Sequence, residues 1–160
     1  MGPRTWPDDW AARRAGDGCV FCAWERPDED EHGLRFLAGA AADAYLQRRA
    51  PAPGYAIVVF RGRHAADPID LTLQETAAFW ADVGAAARAI YAVFGPCHLN
   101  YQILGNAVPH LHTHIILRFD EDPLPGRPFP WPDDPGTIPE ADFLATVDAL
   151  TASARPGAAP

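Results

Sequence analysis

Three histidines at alternate positions, His110, His112 and His114, are the residues with the clearest chemical potential in this chain. In a β-strand, residues i, i+2 and i+4 face one side of the sheet about 6.6–6.8 Å apart, so the pattern predicts a row of imidazoles. Such a row can bind a metal ion, bind an anion such as phosphate, or attack phosphorus through a neutral ring nitrogen. A polar strand face without chemistry is the alternative, and we disfavour it because each buried polar group needs a partner.

Two cysteines separated by two residues, Cys19 and Cys22, form a second candidate site. With Cys97 they make an odd count, which argues against a disulfide framework. A redox pair usually opens a helix directly after a strand, and no strand is predicted before Cys19. We therefore favour a metal clip, which two histidines would complete to the Cys₂His₂ set of structural zinc sites. A reduced, buried cysteine pair is the alternative.

The composition excludes several kinds of function. All 13 basic residues are arginine, so Schiff-base chemistry and the lysine-containing phosphate loop are ruled out. The only serine is Ser153, near the end of the chain, which argues against a serine nucleophile. The net charge of −8 disfavours nucleic acid and anionic membranes as partners. We identify neither a membrane span nor a secretion signal, and expect a cytoplasmic protein.

Five apolar or alternating runs rich in β-forming residues predict strands. They cover 34–38, 44–47, 55–60, 98–104 and 108–119. Gly105 and Asn106, between the last two runs, are typical of a tight hairpin turn. The histidine row therefore lies on a strand that pairs with its neighbour in sequence.

A long helix is predicted over 72–94, because Thr72 and Glu75 have capping-box spacing and apolar residues follow at helical intervals. Further expected elements are a short helix over 7–14, irregular structure over 120–136, and a final helix from Thr137 to about Ser153. The order predicts an α+β fold: an antiparallel sheet of about five strands with the long helix on one face and a C-terminal helix. We assign 1–154 to a single domain and expect a flexible tail over 155–160.

Residues 100–116 resemble the signature of the histidine triad (HIT) family, His-φ-His-φ-His-φ-φ preceded by a Gly-polar-x-Val segment. The resemblance extends upstream to 51–59, to His64, and to the Cys19-x-x-Cys22 pair of the family's zinc-bearing branch. It implies a HIT-like fold, a nucleotide substrate and a homodimer. Similarity to dinucleoside polyphosphate hydrolases implies cleavage at the α-phosphate through a nucleotidyl-histidine intermediate.

The resemblance also implies a role for individual residues. His112 would be the nucleophile, His114 would donate a hydrogen bond to a phosphate oxygen, and His110 would complete the catalytic row. The implied nucleotide-binding residues are Gln47 at the ribose, Asn100 near the phosphates, and Gly105 and Asn106 near the scissile group. The implied ligands of a structural Zn²⁺ are Cys19, Cys22, His64 and His110. We also consider Arg61, Arg63, Arg118 and Arg127 as phosphate contacts.

The sequence departs from the family pattern without altering the nucleophile. Tyr55 replaces a usual histidine, Arg61 a usual lysine, Thr113 an apolar residue and Leu117 a common proline, and Ala107 lacks a common hydroxyl. Three alternatives to hydrolysis through a nucleotidyl-histidine intermediate stay open. They are transfer to another acceptor, as in phosphorylases, a zinc-stabilised binding module without turnover, and hydrolysis by zinc in an open three-histidine site.

Overall fold

A five-stranded antiparallel sheet forms the centre of the computed structural model, which describes residues 5–23, 26–122, 124–130, 132 and 134–155. The strands are β1 (Gly33–Ala38), β2 (Ala42–Gln47), β3 (Ala56–Phe60), β4 (His98–Gln102) and β5 (His112–Arg118). Their spatial order is β1-β2-β3-β5-β4. The strand that carries His112 and His114 therefore lies inside the sheet, between β3 and the edge strand β4.

Four α-helices and one 3₁₀ turn complete the fold. They are α1 (Trp10–Arg14), α2 (Val20–Ala23), a 3₁₀ turn (Pro68–Asp70), α3 (Leu73–Phe94) and α4 (Glu140–Ser153). The capping box predicted at the start of α3 is confirmed, since the Thr72 hydroxyl accepts from the Glu75 amide and the Glu75 carboxylate accepts from the Thr72 amide. Gly95 ends α3 with a φ of 58°, a left-handed conformation that glycine adopts without strain.

Helices α3 and α4 pack on one face of the sheet, as predicted. Phe79, Val83 and Ile90 of α3 and Phe143 of α4 are buried against apolar residues of β2, β3 and β5. By length and composition alone α3 could also cross a membrane, a weak criterion that the core helix of a soluble domain passes too. Burying these side chains is worth about 1.5–3 kcal/mol each, so this layer holds the sheet in place.

The opposite face of the sheet carries the histidines, and we call it the histidine face. Register pairs His112 with Val59 and His114 with Ile57, and cross-strand partners point to the same side. A second apolar cluster covers this face; it contains Tyr45, Tyr55, Ile57, Val59 and Ile116 with Phe21 from α2 and half-buried Phe129. Two different apolar layers thus enclose the strand from its two sides.

The histidine strand begins later than predicted. β5 starts at His112 rather than at 108, so His110 lies outside it. Pro109 has no amide hydrogen to add to a strand ladder, and the Leu111 amide donates instead to the Ala65 carbonyl. The prediction of a tight hairpin at Gly105 and Asn106 is also wrong, because nine residues, 103–111, connect β4 to β5.

Other strand bounds differ from the prediction by one or two residues, α2 and the 3₁₀ turn were not predicted, and two helices begin later than predicted. α1 begins at Trp10 rather than at 7, and α4 begins at Glu140 rather than at Thr137. Thr137 instead pairs with Arg49 in an isolated bridge. Pro139 is the N-cap residue that precedes α4. The described part of 120–136 has no helix or strand, as predicted. Most of the expected tail, 156–160, lies outside the described residues.

Candidate functional site

His112 is held in one orientation by the backbone of the preceding histidine. Its Nδ1 lies 2.6 Å from the carbonyl oxygen of His110, and because a carbonyl can only accept, Nδ1 carries the hydrogen. In the neutral ring the lone pair is then on Nε2. Burial lowers the pKa of His112, against the opposing effect of this hydrogen bond, so the ring is neutral near pH 7. A neutral imidazole with its Nε2 lone pair unprotonated has the form of a nucleophile.

His114 stands beside it on the same strand. The two ring centroids are 4.8 Å apart with an interplanar angle of 67°. Burial, with a smaller effect of His112, lowers the pKa of His114 to about 4, so this ring is also neutral at pH 7. Its Nδ1 lies 2.6 Å from the hydroxyl of Tyr55, and the two rings stack with an angle of 8°.

His110 points to the two cysteines. Its Nδ1 lies 3.4 Å from Sγ of Cys19 and 3.5 Å from Sγ of Cys22, while its Nε2 donates to the Phe60 carbonyl at 2.9 Å. His64 is arranged in the same way. Its Nδ1 lies 3.5 Å from Sγ of Cys22, and its Nε2 donates to a backbone carbonyl at 3.0 Å. In the neutral form of each ring, the Nδ1 lone pair therefore points toward the sulfurs.

These four side chains could hold a metal ion. Their ligand atoms all lie within 4.8 Å of one another. Around a tetrahedral ion bound at about 2.3 Å to sulfur and about 2.0–2.1 Å to nitrogen, neighbouring ligand atoms are roughly 3.3–3.8 Å apart. The measured sulfur–nitrogen separations of 3.4 and 3.5 Å fit that spacing. The carbonyl partners of both imidazoles are also those that metal-binding histidines generally have.

Phe21, between the two cysteines, links this cluster to His112. Its ring meets the rings of His110 and His112 edge-on, with centroids 5.5 and 5.4 Å away. Arg61 donates to the Phe21 carbonyl at 3.4 Å and to the buried carboxylate of Asp43 at 3.0 Å. Burial raises the pKa of Asp43, but its arginine partners outweigh that effect and hold the pKa below its ordinary value. A buried ion pair thus fastens α2 to the sheet.

The predicted nucleotide-binding residues are spread around the site. Gln47 ends β2 and lies on the histidine face, two strands from β5. The Asn100 side chain, on the same face, accepts a hydrogen bond from Arg118 at 2.7 Å. Gly105, with a φ of 63°, and exposed Asn106 lie in the loop that leads to His110. Their roles toward a nucleotide stay predictions.

Three of the four arginines considered as phosphate contacts bond other groups in the structure, and their roles toward phosphate stay predictions. Arg61 bonds Asp43 and the Tyr45 hydroxyl, and Arg63 forms an ion pair with Glu75. The nitrogens of Arg118 bond the Asp122 and Asn100 side chains and the carbonyls of 124 and 127. Arg118 therefore holds the segment after β5 against the sheet.

A cleft of about 810 Å³ opens along the edge strand β4. One wall is β4, where Gln102 pairs in register with His114, and another is formed by 125–128. Gln102 is therefore a candidate binding residue, and the observation that points to it is its pairing with His114 on the neighbouring strand.

Sequence reasoning assigned no role to Tyr55 or Phe21. Tyr55 was visible only as a departure from the family pattern, and Phe21 only as the residue before Cys22. Their contacts depend on how β3 and α2 meet β5, which residue spacing does not reveal.

Comparison with known proteins supports the family resemblance. The model of the HIT domain matches residues 38–121. No curated protein matches the chain. A histidine triad protein from Bradyrhizobium japonicum is 25% identical, with a TM-score of 0.70 over 78% of this chain and 92% of that one.

Two other solved structures have the same fold. A histidine triad protein from Marinobacter aquaeolei is 22% identical over 76% of this chain and 88% of that one, with a TM-score of 0.67. A zinc-bound histidine triad family protein from Mycobacterium smegmatis is 23% identical over 86% and 94%, with a TM-score of 0.63. Because the family model covers more than half of the sequence, this chain belongs to the HIT domain family.

Proposed function

We propose that this protein cleaves dinucleoside polyphosphates or nucleoside phosphoramidates at the α-phosphate through a nucleotidyl group carried on His112. The hydrogen bond from Nδ1 of His112 to the His110 carbonyl carries this proposal, because it leaves the Nε2 lone pair available for attack. HIT proteins generally bind or hydrolyse nucleotides, which agrees with such a nucleophile. The cytoplasm, our expected location, holds such substrates and keeps the cysteines reduced.

In the first step Nε2 of His112 attacks the α-phosphorus, and the bond from phosphorus to the bridging oxygen or nitrogen breaks. The leaving atom takes that electron pair, a leaving nitrogen also takes a proton from solvent, and His114 donates a hydrogen bond to the leaving group. The positive charge on the nucleotidyl-imidazole is stabilised by the carbonyl that accepts from Nδ1. Water then attacks phosphorus, the phosphorus–nitrogen bond breaks, a proton passes to solvent, and the nucleoside monophosphate leaves.

We propose that the ion held by Cys19, Cys22, His64 and His110 is Zn²⁺ with a structural role. Two thiolates and two imidazoles suit zinc, and four protein ligands leave no position for a reactive water. The zinc-bound neighbour from Mycobacterium smegmatis supports this identity. The ion would fix His110, whose carbonyl orients His112, so it would act on catalysis only through position.

This arrangement disfavours an open three-histidine zinc site. Nδ1 of His110 lies beside the cysteines, whereas Nδ1 of His112 donates to a carbonyl. Among the described residues, the cysteine–histidine set is the metal-binding group that was found. Transfer to another acceptor and binding without turnover remain as alternatives, and turnover assays separate them from hydrolysis.

We also propose that the protein pairs as a homodimer, as the family resemblance implies. Three exposed apolar residues of α3, Leu73, Trp80 and Tyr91, are spaced by seven and eleven positions. At 3.6 residues per turn they lie within about 20° of one line along the helix. Tyr101 on the edge strand β4 is exposed as well. An exposed apolar stripe of this kind is typical of a protein interface.

The first test is to trap the covalent intermediate. Protein mixed with a dinucleoside polyphosphate and quenched in base, where phosphoramidates survive, should show one added nucleoside monophosphate on the peptide containing His112. We expect His112→Ala to lose the adduct and to slow turnover by about 10⁴-fold or more. His32→Ala, an exposed histidine far from the site, is the control. An adduct on any other residue, or equal rates for the two variants, would contradict the proposal.

The metal assignment is tested by elemental analysis of single-cysteine variants. We expect one zinc per chain in the native protein, little in Cys19→Ala, and native content in Cys97→Ala, the matched control. Loss of the ion should cost about 3 kcal/mol or more, which lowers Tm by roughly 10 °C. If zinc and activity both survive in Cys19→Ala, the open three-histidine site regains support.

The dimer is tested by analytical ultracentrifugation at micromolar concentration. Placing two carboxylates in the α3 stripe, Trp80→Glu with Tyr91→Glu, should give a monomer because each charge would have to be buried at the interface. Leu144→Glu, at an exposed apolar site on α4, should keep the native mass. A native protein that sediments as a monomer excludes the pairing.

The low pKa of His114 predicts a pH-dependent contribution to stability. Its pKa is about 4 in the folded protein against an ordinary 6.5, so between these values the unfolded chain binds more protons. The contribution is therefore complete above about pH 6.5 and is lost as the pH falls toward 4. The unfolding free energy of the native protein relative to His114→Gln should drop by on the order of 2 kcal/mol between pH 7 and 4. Urea unfolding of both proteins measures this drop; a constant difference would contradict it.

A further inference from the structure

We propose that Tyr55 fixes the tautomer of His114: its hydroxyl donates to Nδ1, so the ring hydrogen is on Nε2 and His114 offers the substrate a hydrogen-bond donor. Tyr55 is thus a positioning residue that acts through His114. The inference rests on the proposed function for its catalytic consequence, whereas the tautomer itself can be measured independently.

The contact between the two side chains is close and well supported. The Tyr55 oxygen lies 2.6 Å from Nδ1 of His114, and the rings stack at a centroid distance of 6.0 Å and an angle of 8°. Tyr55 is 6% exposed, so little water reaches this bond. A short hydrogen bond in a dry site is stronger than one in water and holds one geometry.

Backbone hydrogen bonds also hold Tyr55 in place. The Tyr55 amide donates to the Ala52 carbonyl, and its carbonyl accepts from the Gln47 amide. Gly54 before it has a φ of 77°, and an added Cβ would lie 2.8 Å from Phe94 and 2.9 Å from Leu117. Only glycine fits there, so the turn delivers Tyr55 to His114 in a single way.

The direction of the hydrogen bond follows from the chemistry of the two groups. Burial raises the pKa of Tyr55 and lowers that of His114, so both are neutral near pH 7. A phenol O–H is a stronger acid than a neutral imidazole N–H, and an imidazole nitrogen is a better acceptor than a phenol oxygen. The favoured bond is therefore O–H to Nδ1, which places the ring hydrogen on Nε2.

The two neighbouring histidines then carry opposite tautomers. His112 has its hydrogen on Nδ1 and its lone pair on Nε2, which suits attack on phosphorus. His114 has the reverse arrangement, which suits donation to a phosphate or leaving-group oxygen. The family resemblance would imply a histidine at position 55. A neutral histidine there donates to His114 in only one of its two tautomers, whereas a tyrosine hydroxyl always carries a hydrogen.

The tautomer is tested by NMR of protein labelled with ¹⁵N-histidine, because the two neutral tautomers give distinct ¹⁵N shifts. We expect the Nε2–H form of His114 in the native protein at pH 7, and a shift away from it in Tyr55→Phe, which keeps the stacked ring. Tyr45→Phe is the matched control, since it removes a buried hydroxyl of the same cluster that bonds Arg61 and the Pro27 carbonyl. An Nδ1–H form of His114 in the native protein overturns the proposal.

Kinetics then test the consequence. Tyr55→Phe should lower kcat about 10- to 30-fold and change KM by less than about threefold, as expected when one positioning hydrogen bond is lost. Tyr55→His, which restores a ring N–H, should recover most of the loss. An unchanged kcat in Tyr55→Phe overturns the catalytic role. If the native protein shows no turnover, the proposed function fails while the NMR result still decides the tautomer.

Discussion

The site depends on hydrogen bonds from imidazole rings to backbone carbonyls. His112 donates through Nδ1 to His110, His110 donates through Nε2 to Phe60, and His64 donates through Nε2 to Arg14. Because a carbonyl can only accept, each bond decides which nitrogen of the ring keeps its lone pair. One residue type thus presents a free Nε2 lone pair at His112 and Nδ1 lone pairs toward the cysteines at His110 and His64, and the main chain decides which.

The N-terminal segment reaches the sheet through polar groups buried in an apolar setting. Asp43 is fully buried and bonds Arg26 and Arg61, and Arg61 also reaches the α2 backbone. Leaving the buried charges of Asp43 and Arg61 unpaired would be strongly destabilising, so their pairing fixes where α2 can lie. Phe21 is placed by the same contacts against His110 and His112. The cysteine–histidine cluster and the pair His112 and His114 are therefore parts of one packed layer rather than two separate sites.

Much of the fold could be predicted because local signals are strong. The capping box at Thr72, the apolar run of β3 and the glycine after Phe94 each act through neighbouring residues, and all were confirmed. The start of β5 was missed because alternation of histidines suggested a strand that Pro109 interrupts. The four-residue metal cluster followed from family resemblance, whereas the contact of Tyr55 with His114 depends on strand register and a glycine turn, which no local pattern encodes.

Segments that flank the HIT domain match pack on the sheet beside the histidines. The HIT domain match ends at residue 121, yet the chain continues across the histidine face, where Phe129 packs, and returns to Arg49 near the end of β2. The cysteine-bearing segment, which precedes the match, covers the same face through Phe21. Insertions or substitutions in these two segments would change the surface beside His112 and His114 and leave the histidines themselves unchanged. Selectivity among substrates can therefore diverge between relatives faster than the chemistry itself.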